Sequence, residues 1–206
     1  MKKDAQKRRI IFWLSVIFAV LLCALVVLGI FFIHKKNTSV VPGIIHYHLA
    51  DYDEDIFLNK AYMSFQRDLT YGAAGVEQIF SYEKDYDSAS SECKFFLDYF
   101  QTVINGDYEA LPDYYVEDYF AQKPKFTMQM IYEPYVSYHS VSSEEIDGVE
   151  QNLYNFYVQY RIFQNNGTFR QGVSSNTAVP QIYQLVKTLD GSYRIYRILE
   201  VQIEKD

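Results

Sequence analysis

The feature that most constrains this chain is the run from Ile10 to Ile33, which is apolar or small throughout, carries no charge and has Ser15 as its most polar member. As a helix rising about 1.5 Å per residue it reaches roughly 36 Å, enough to cross a hydrocarbon core of about 30 Å with slight tilt. Nothing after Lys36 is long and apolar enough to repeat the crossing, so all that follows is expected on one side of a bilayer. Lys2, Lys3, Lys7, Arg8 and Arg9 precede the run against the single Asp4, whereas only Lys35 and Lys36 follow it. The basic excess stays inside, which predicts a cytoplasmic tail at 1–9, a transmembrane helix at 10–33 and an extracytoplasmic carboxyl portion. A cleaved signal peptide needs a shorter apolar core, and a lipidation site needs a small residue where Leu22 precedes Cys23.

The outer portion is acidic. Seven of the 19 Lys and Arg but only Asp4 of the 26 acidic residues lie in 1–36, which leaves 12 cations against 25 anions, or about −13. Binding phosphate backbones requires clustered cations, so nucleic acid is not expected as a partner. Cys23 falls inside the span and Cys93 outside it, so no disulfide can join them within one chain. An extracytoplasmic domain without disulfides must rest on its apolar core, which suits a bacterial envelope. The chain has 20 Tyr and 15 Phe. Tyrosine buries its ring while keeping its hydroxyl hydrated, which suits half-buried strands and also pockets and interfaces.

Residues 34–87 read as a juxtamembrane spacer followed by a helical segment. Leu58, Tyr62, Phe65 and Leu69 recur at helical spacing, with Asp53 or Asp55 available as an N-cap; Gly72 and Gly75 interrupt the pattern, and Val76, Ile79 and Phe80 resume it. Residues 88–206 read as an α+β ectodomain. Ser90 is placed to cap a helix whose stripe is Cys93, Phe96, Leu97, Phe100, Val103 and Ile104, and Asn105-Gly106 closes it. Asp107 can cap a second helix, in which Pro112 fits only near the start. Strands are expected at Tyr135 to Val141 and at Leu153 to Phe163, where Tyr154, Phe156, Val158, Tyr160 and Ile162 alternate with polar residues. Asn165-Asn166-Gly167 signals a hairpin into Thr168 to Val173, and Asp190-Gly191 joins Ile182 to Leu189 with Tyr193 to Glu204. Helices followed by antiparallel strands argue for α+β.

The segments Phe96-Leu97-Asp98-Tyr99-Phe100, Val103 to Leu111, Tyr114-Tyr115 and Tyr119-Phe120 resemble the opening helices of nuclear transport factor 2-like domains. In that superfamily a long first helix ends in a short Asn-Gly-Asp-like turn, and a second helix leads to a curved sheet. The resemblance implies helices packed on a curved antiparallel cone. Pro112 departs from the pattern and bears on the length of the second helix. Enzymes of the superfamily, such as polyketide cyclases and certain isomerases, use an Asp, His or Tyr inside the cone.

Chemistry-bearing motifs are sparse. No Gly-x-Ser-x-Gly elbow, phosphate-cradling glycine loop or His-Glu-x-x-His helix occurs. His46 and His48 with Asp51, Asp53 and Asp55 are weak metal candidates, because Ile56 and Tyr62 stand where a calcium loop requires Gly and Glu. Cys93 lies on the apolar stripe and reads as a core residue. Arg197 shares strand parity with Tyr193 and Ile195, which would turn it inward toward an acidic partner or an anionic ligand, with Tyr99, Tyr115 and Tyr160 as companion ligand contacts; the favoured account is a buried ion pair or a strand bulge that turns it outward. Neither a catalytic set nor a cofactor is expected. The reading is a single-pass membrane protein with a non-catalytic extracytoplasmic interaction domain. Its plan is similar to the bitopic assembly factors of conjugation and type IV secretion machines, with an envelope protein or a second copy as partner; the alternative is a small-ligand or enzymatic site in the cone.

Overall fold

A computed structural model describes residues 45–116, 125–146 and 148–201, all within one compact unit, Ile45–Asp206. The expected span Ile10–Ile33 and its orientation lie outside these residues, and among the described residues no helix is long and apolar enough to cross a membrane. The architecture is α+β. Six strands, β1 (Leu69–Ala73), β2 (Val76–Phe80), β3 (Ile131–Ile146), β4 (Val149–Ile162), β5 (Gln181–Lys187) and β6 (Tyr193–Glu200), form one curved sheet in the order β2-β1-β3-β4-β5-β6.

The sheet is mixed rather than antiparallel as expected, because β1 lies parallel to β3. The chain leaves β1 through β2 and returns to β3 only after the helical region, and a long crossover of this kind is what parallel neighbours require. The other neighbours are antiparallel.

The long helix Ser91–Asn105 is bounded as its sequence predicts. Ser90 Oγ accepts the Cys93 N–H at 3.2 Å, and Gly106 ends the helix in the left-handed region at φ +67°. Its apolar side lies on the sheet's inner face, where the Phe96 ring sits 5.1 Å from that of Phe156 and the Phe100 ring 5.7 Å from that of Tyr160. Phe95 and Tyr99, outside the expected stripe, are buried as well, since Tyr114 and Tyr193 cover that flank.

The helical reading of 58–80 is corrected. A 3-10 turn at Ile56–Leu58 and a single helical turn at Lys60–Met63 are separated by Asn59 in extended backbone, whose Oδ1 caps the N–H groups of Ala61 and Tyr62. Tyr62 and Leu69 enter the core, but Leu58 is 79% exposed. Residues 69–80 are the hairpin β1–β2, turned by Ala74 and Gly75, both at positive φ. Two such residues match the twist of the flanking strands, and this outweighs a chance helical spacing.

Three further expectations change. Thr168 to Val173 is not a strand: the buried Asn165 amide donates to the carbonyls of Arg170 (3.0 Å) and Val173 (2.7 Å), so side-chain bonds replace a ladder. Among the described residues the second helix is a 3-10 turn, Leu111–Tyr114, with Pro112 near its start. The strand expected at Tyr135 to Val141 is longer, for β3 begins at Ile131 and runs on through Glu144 and Glu145 to Ile146.

Candidate functional site

Where the long helix, the inner face of β4–β6 and the 163–180 loop meet there is a cavity of about 220 Å³. Tyr99 reaches it from the helix, Tyr115 from the segment after the 3-10 turn, Tyr160 from β4 and Tyr183 from β5. The Tyr99 and Tyr115 hydroxyls are 2.8 Å apart. Leu111, Phe126, Phe169 and Ile198 supply apolar wall.

The cation of the site is Arg170, on the loop that Asn165 shapes. It is 6% exposed, and its guanidinium lies 5.1 Å from the Tyr160 ring centroid. Nη2 donates to the Val179 carbonyl at 2.7 Å and stands 3.6 Å from Glu200 Oε2. Nε and Nη1 are buried without a hydrogen-bond partner. Glu200 accepts from Gln181 Nε2 at 2.6 Å, and its side chain is 63% exposed. A guanidinium withdrawn from water needs a close counter-charge and filled donors, and here it has the Val179 carbonyl, the ring and hydroxyl of Tyr160 and a loosely held carboxylate.

Burial keeps Tyr99, Tyr160 and Tyr183 protonated. It raises Tyr99 and Tyr183 well above 10, and it raises Tyr160 against the opposing charge of Arg170. These hydroxyls therefore act as hydrogen-bonding groups rather than as bases near neutral pH.

Tyr99, Tyr115 and Tyr160, read from sequence as ligand contacts, thus share one cavity. Arg197 is not among the residues lining it. Gln184 pairs with Arg197 while its neighbour Leu185 pairs with Ile195, so Tyr196 is an extra residue that reverses the alternation. The inward alternative for Arg197 gives way to the bulge and the ion pair that the sequence reading favours. Arg197 pairs with Glu144 and donates to Gln184 Oε1 on the other face, and Gln184 in turn donates to Asn155 Oδ1 at 2.7 Å. The same bulge brings Ile198 and Glu200 to the cavity side. Sequence reasoning missed Arg170, because its position depends on a loop whose form is set by side-chain bonds.

The acidic residues after His46 and His48 serve the backbone: Asp51 accepts from Asp53 N–H and Asp55 from Phe57 N–H, each at 3.0 Å. Among the described residues no three His, Cys, Asp or Glu converge as a metal site. His46 and His48 are exposed. The segment they flank is tied to the cavity loop, for His48 N–H donates to the Asn165 carbonyl (2.8 Å) and Tyr47 Oη accepts from Gly172 N–H (2.9 Å).

A second, wider cavity of about 520 Å³ is bounded by Tyr71, Glu92, Cys93, Tyr138 and Tyr154. Burial, with Glu92 adding, pushes the Cys93 thiol up to about 12, so it is no nucleophile near neutral pH. Tyr193 Oη donates to Glu92 Oε1 at 2.6 Å. Burial alone would raise Glu92, but the bonds from Tyr193, the local backbone and Ser90 and Ser91 hold its carboxyl below 4.5. A depressed carboxylate stabilises the fold above its unfolded pKa, and that contribution is lost as pH falls through the folded value. Tyr193→Phe is therefore expected to cost about 1 kcal/mol at pH 7 and a smaller amount as pH falls through the folded value, read from denaturant melts along a descending pH series. An equal loss throughout the series would show that the hydroxyl does not act through the Glu92 carboxylate.

Comparison with protein-family models, with characterised proteins and with solved structures finds no match to this chain.

Proposed function

We propose that this chain is an extracytoplasmic recognition domain, held to the cell membrane by the span Ile10–Ile33 with its amino end in the cytoplasm. Its cavity takes a small ligand without transforming it. The observation that carries this reading is the cavity's set of titratable groups: a buried guanidinium, tyrosyl hydroxyls kept neutral by burial, and one rim carboxylate. Convergent polar groups beside apolar wall from Leu111, Phe126 and Ile198 suit binding. Acyl or phosphoryl transfer needs a nucleophile beside a base, and the described lining residues do not include such a pair. The order of long helix, glycine-closed turn and curved sheet supports a nuclear transport factor 2-like cone as part of the same proposal.

A second reading, an accessory that docks an envelope or secretion-complex protein, is favoured by β2. Among the described residues it is one of the two edge strands, and Val76 and Ile79 on it are 59% and 62% exposed. An unpaired strand edge of this kind is a template for strand addition.

Topology tests the shared premise. Ser143 is exposed, so Ser143→Cys in the full chain is expected to react with a membrane-impermeant maleimide on spheroplasts whose inner bilayer is sealed. Labelling that begins only after lysis would place the domain in the cytoplasm and end both readings.

A further inference from the structure

The Arg170 guanidinium leaves Nε and Nη1 buried and unpaired among the described residues, where its carboxylate neighbour, Glu200, stands 3.6 Å from Nη2 while remaining mostly in solvent. We propose that the cavity binds a small organic monocarboxylate with an aromatic or short apolar body, about the size of benzoate. This rests on the reading of the cavity as a recognition site.

Charge, size and wall chemistry each narrow the ligand. The portion beyond residue 36 carries about −13, a field that repels anions, so an anion is held only by a local cation in a sheltered place. Arg170 is that cation. A carboxylate replacing Glu200 as its counter-ion gains charge-assisted hydrogen bonds from donors that lack acceptors. One guanidinium already shared with Glu200 balances a single negative charge, which favours a carboxylate over the dianionic form of phosphate.

An apolar cavity of about 150 Å³ accommodates benzene. The 220 Å³ here therefore admits a body of that size with a carboxylate attached. Leu111, Phe126 and Ile198 line the same cavity as apolar surface for such a body, and burying it supplies affinity that phosphate cannot gain. The Tyr99–Tyr115 hydroxyl pair adds a polar feature that discriminates among substituted acids.

The test is isothermal titration of the full chain in detergent micelles with four probes: benzoate, benzamide as its neutral counterpart, benzyl alcohol and inorganic phosphate. Benzoate is expected to bind at least tenfold tighter than the other three. Arg170→Gln is expected to lose at least tenfold in benzoate affinity, and Arg170→Lys to lose less. Glu200 is exposed at the rim, so Glu200→Gln keeps the fold and is expected to tighten benzoate about threefold by removing the competing charge. Lys84→Gln, at an exposed cation of the short helix Tyr82–Asp85 away from the cavity lining, is expected to change nothing. If benzamide or benzyl alcohol binds as well as benzoate, or Glu200→Gln leaves benzoate unchanged or weaker, the carboxylate assignment is overturned while the cavity remains a ligand site. If phosphate binds through Arg170 and benzoate does not, the ligand class is an inorganic anion. If no probe binds, the recognition reading of the cavity falls with it.

Discussion

Raised from pH 10 to pH 11.5, the domain should unfold in one step, with tyrosinate absorbance appearing together with the loss of helical ellipticity. Burial pushes Tyr62 and Tyr71 up to about 12 and Tyr99 and Tyr183 well above 10. Each raised hydroxyl contributes stability that is fully present below the unfolded value near 10 and is lost as pH rises through the folded value. Once unfolded tyrosines ionise and folded ones do not, stability falls by about 1.4 kcal/mol per pH unit for each. Tyr62, Tyr71, Tyr99 and Tyr183 together remove about 6 kcal/mol per unit, comparable with the whole stability of a domain, about 5–15 kcal/mol. The measurement is parallel absorbance at 295 nm and circular dichroism at 222 nm along a pH series. Tyrosines that titrate gradually around pH 10 while the ellipticity holds would mean that these rings are not sealed in the core.

Gly106→Ala is expected to destabilise the domain by about 3 kcal/mol or more, whereas Gly75→Ala costs about 1–2 kcal/mol. Both glycines have positive φ, at +67° and +79°, so both substitutions carry the conformational penalty of a side chain in the left-handed region. Their surroundings differ. A Cβ on Gly106 would lie 2.5 Å from Met128 N and 2.9 Å from Thr127 C, while one on Gly75 meets nothing within 4 Å. The obstacle at Gly106 is backbone, which cannot swing aside as a long side chain can. It is the stretch entering β3, held by the Gln129 N–H bond to the Ile104 carbonyl at 3.2 Å. Denaturant melts of both variants against the parent chain measure the difference directly. Equal losses would mean that the 127–128 backbone yields freely and that the turn after the long helix is not a packed junction.

The parts of the fold legible in the sequence are those decided by neighbours along the chain. Ser90 and Gly106 bound the long helix because capping is a local hydrogen-bonding matter. The alternation from Tyr154 to Ile162 survives in β4 because one face lies on the core along that whole stretch. The Leu58 to Phe80 spacing misled, since its residues suit a helix until Asn59 and the Ala74-Gly75 turn intervene. Tyr99, Tyr115 and Tyr160 were readable as candidates and do meet in one cavity. The cation that accompanies them was not readable, for two reasons that lie outside any one strand.

The sequence by itself determined an apolar run long enough to cross a bilayer, an acidic remainder, a capped amphipathic helix and a following series of strands. Only the tertiary structure decided which arginine stands with the tyrosines. One extra residue, Tyr196, reverses the faces of β6 and turns Arg197 toward Glu144, while the buried Asn165 amide folds a stretch with strand-like composition into the loop that carries Arg170. Composition and spacing set what a segment can do on its own. Register and buried side-chain bonds are agreements between distant segments, and they choose the face on which a charge ends.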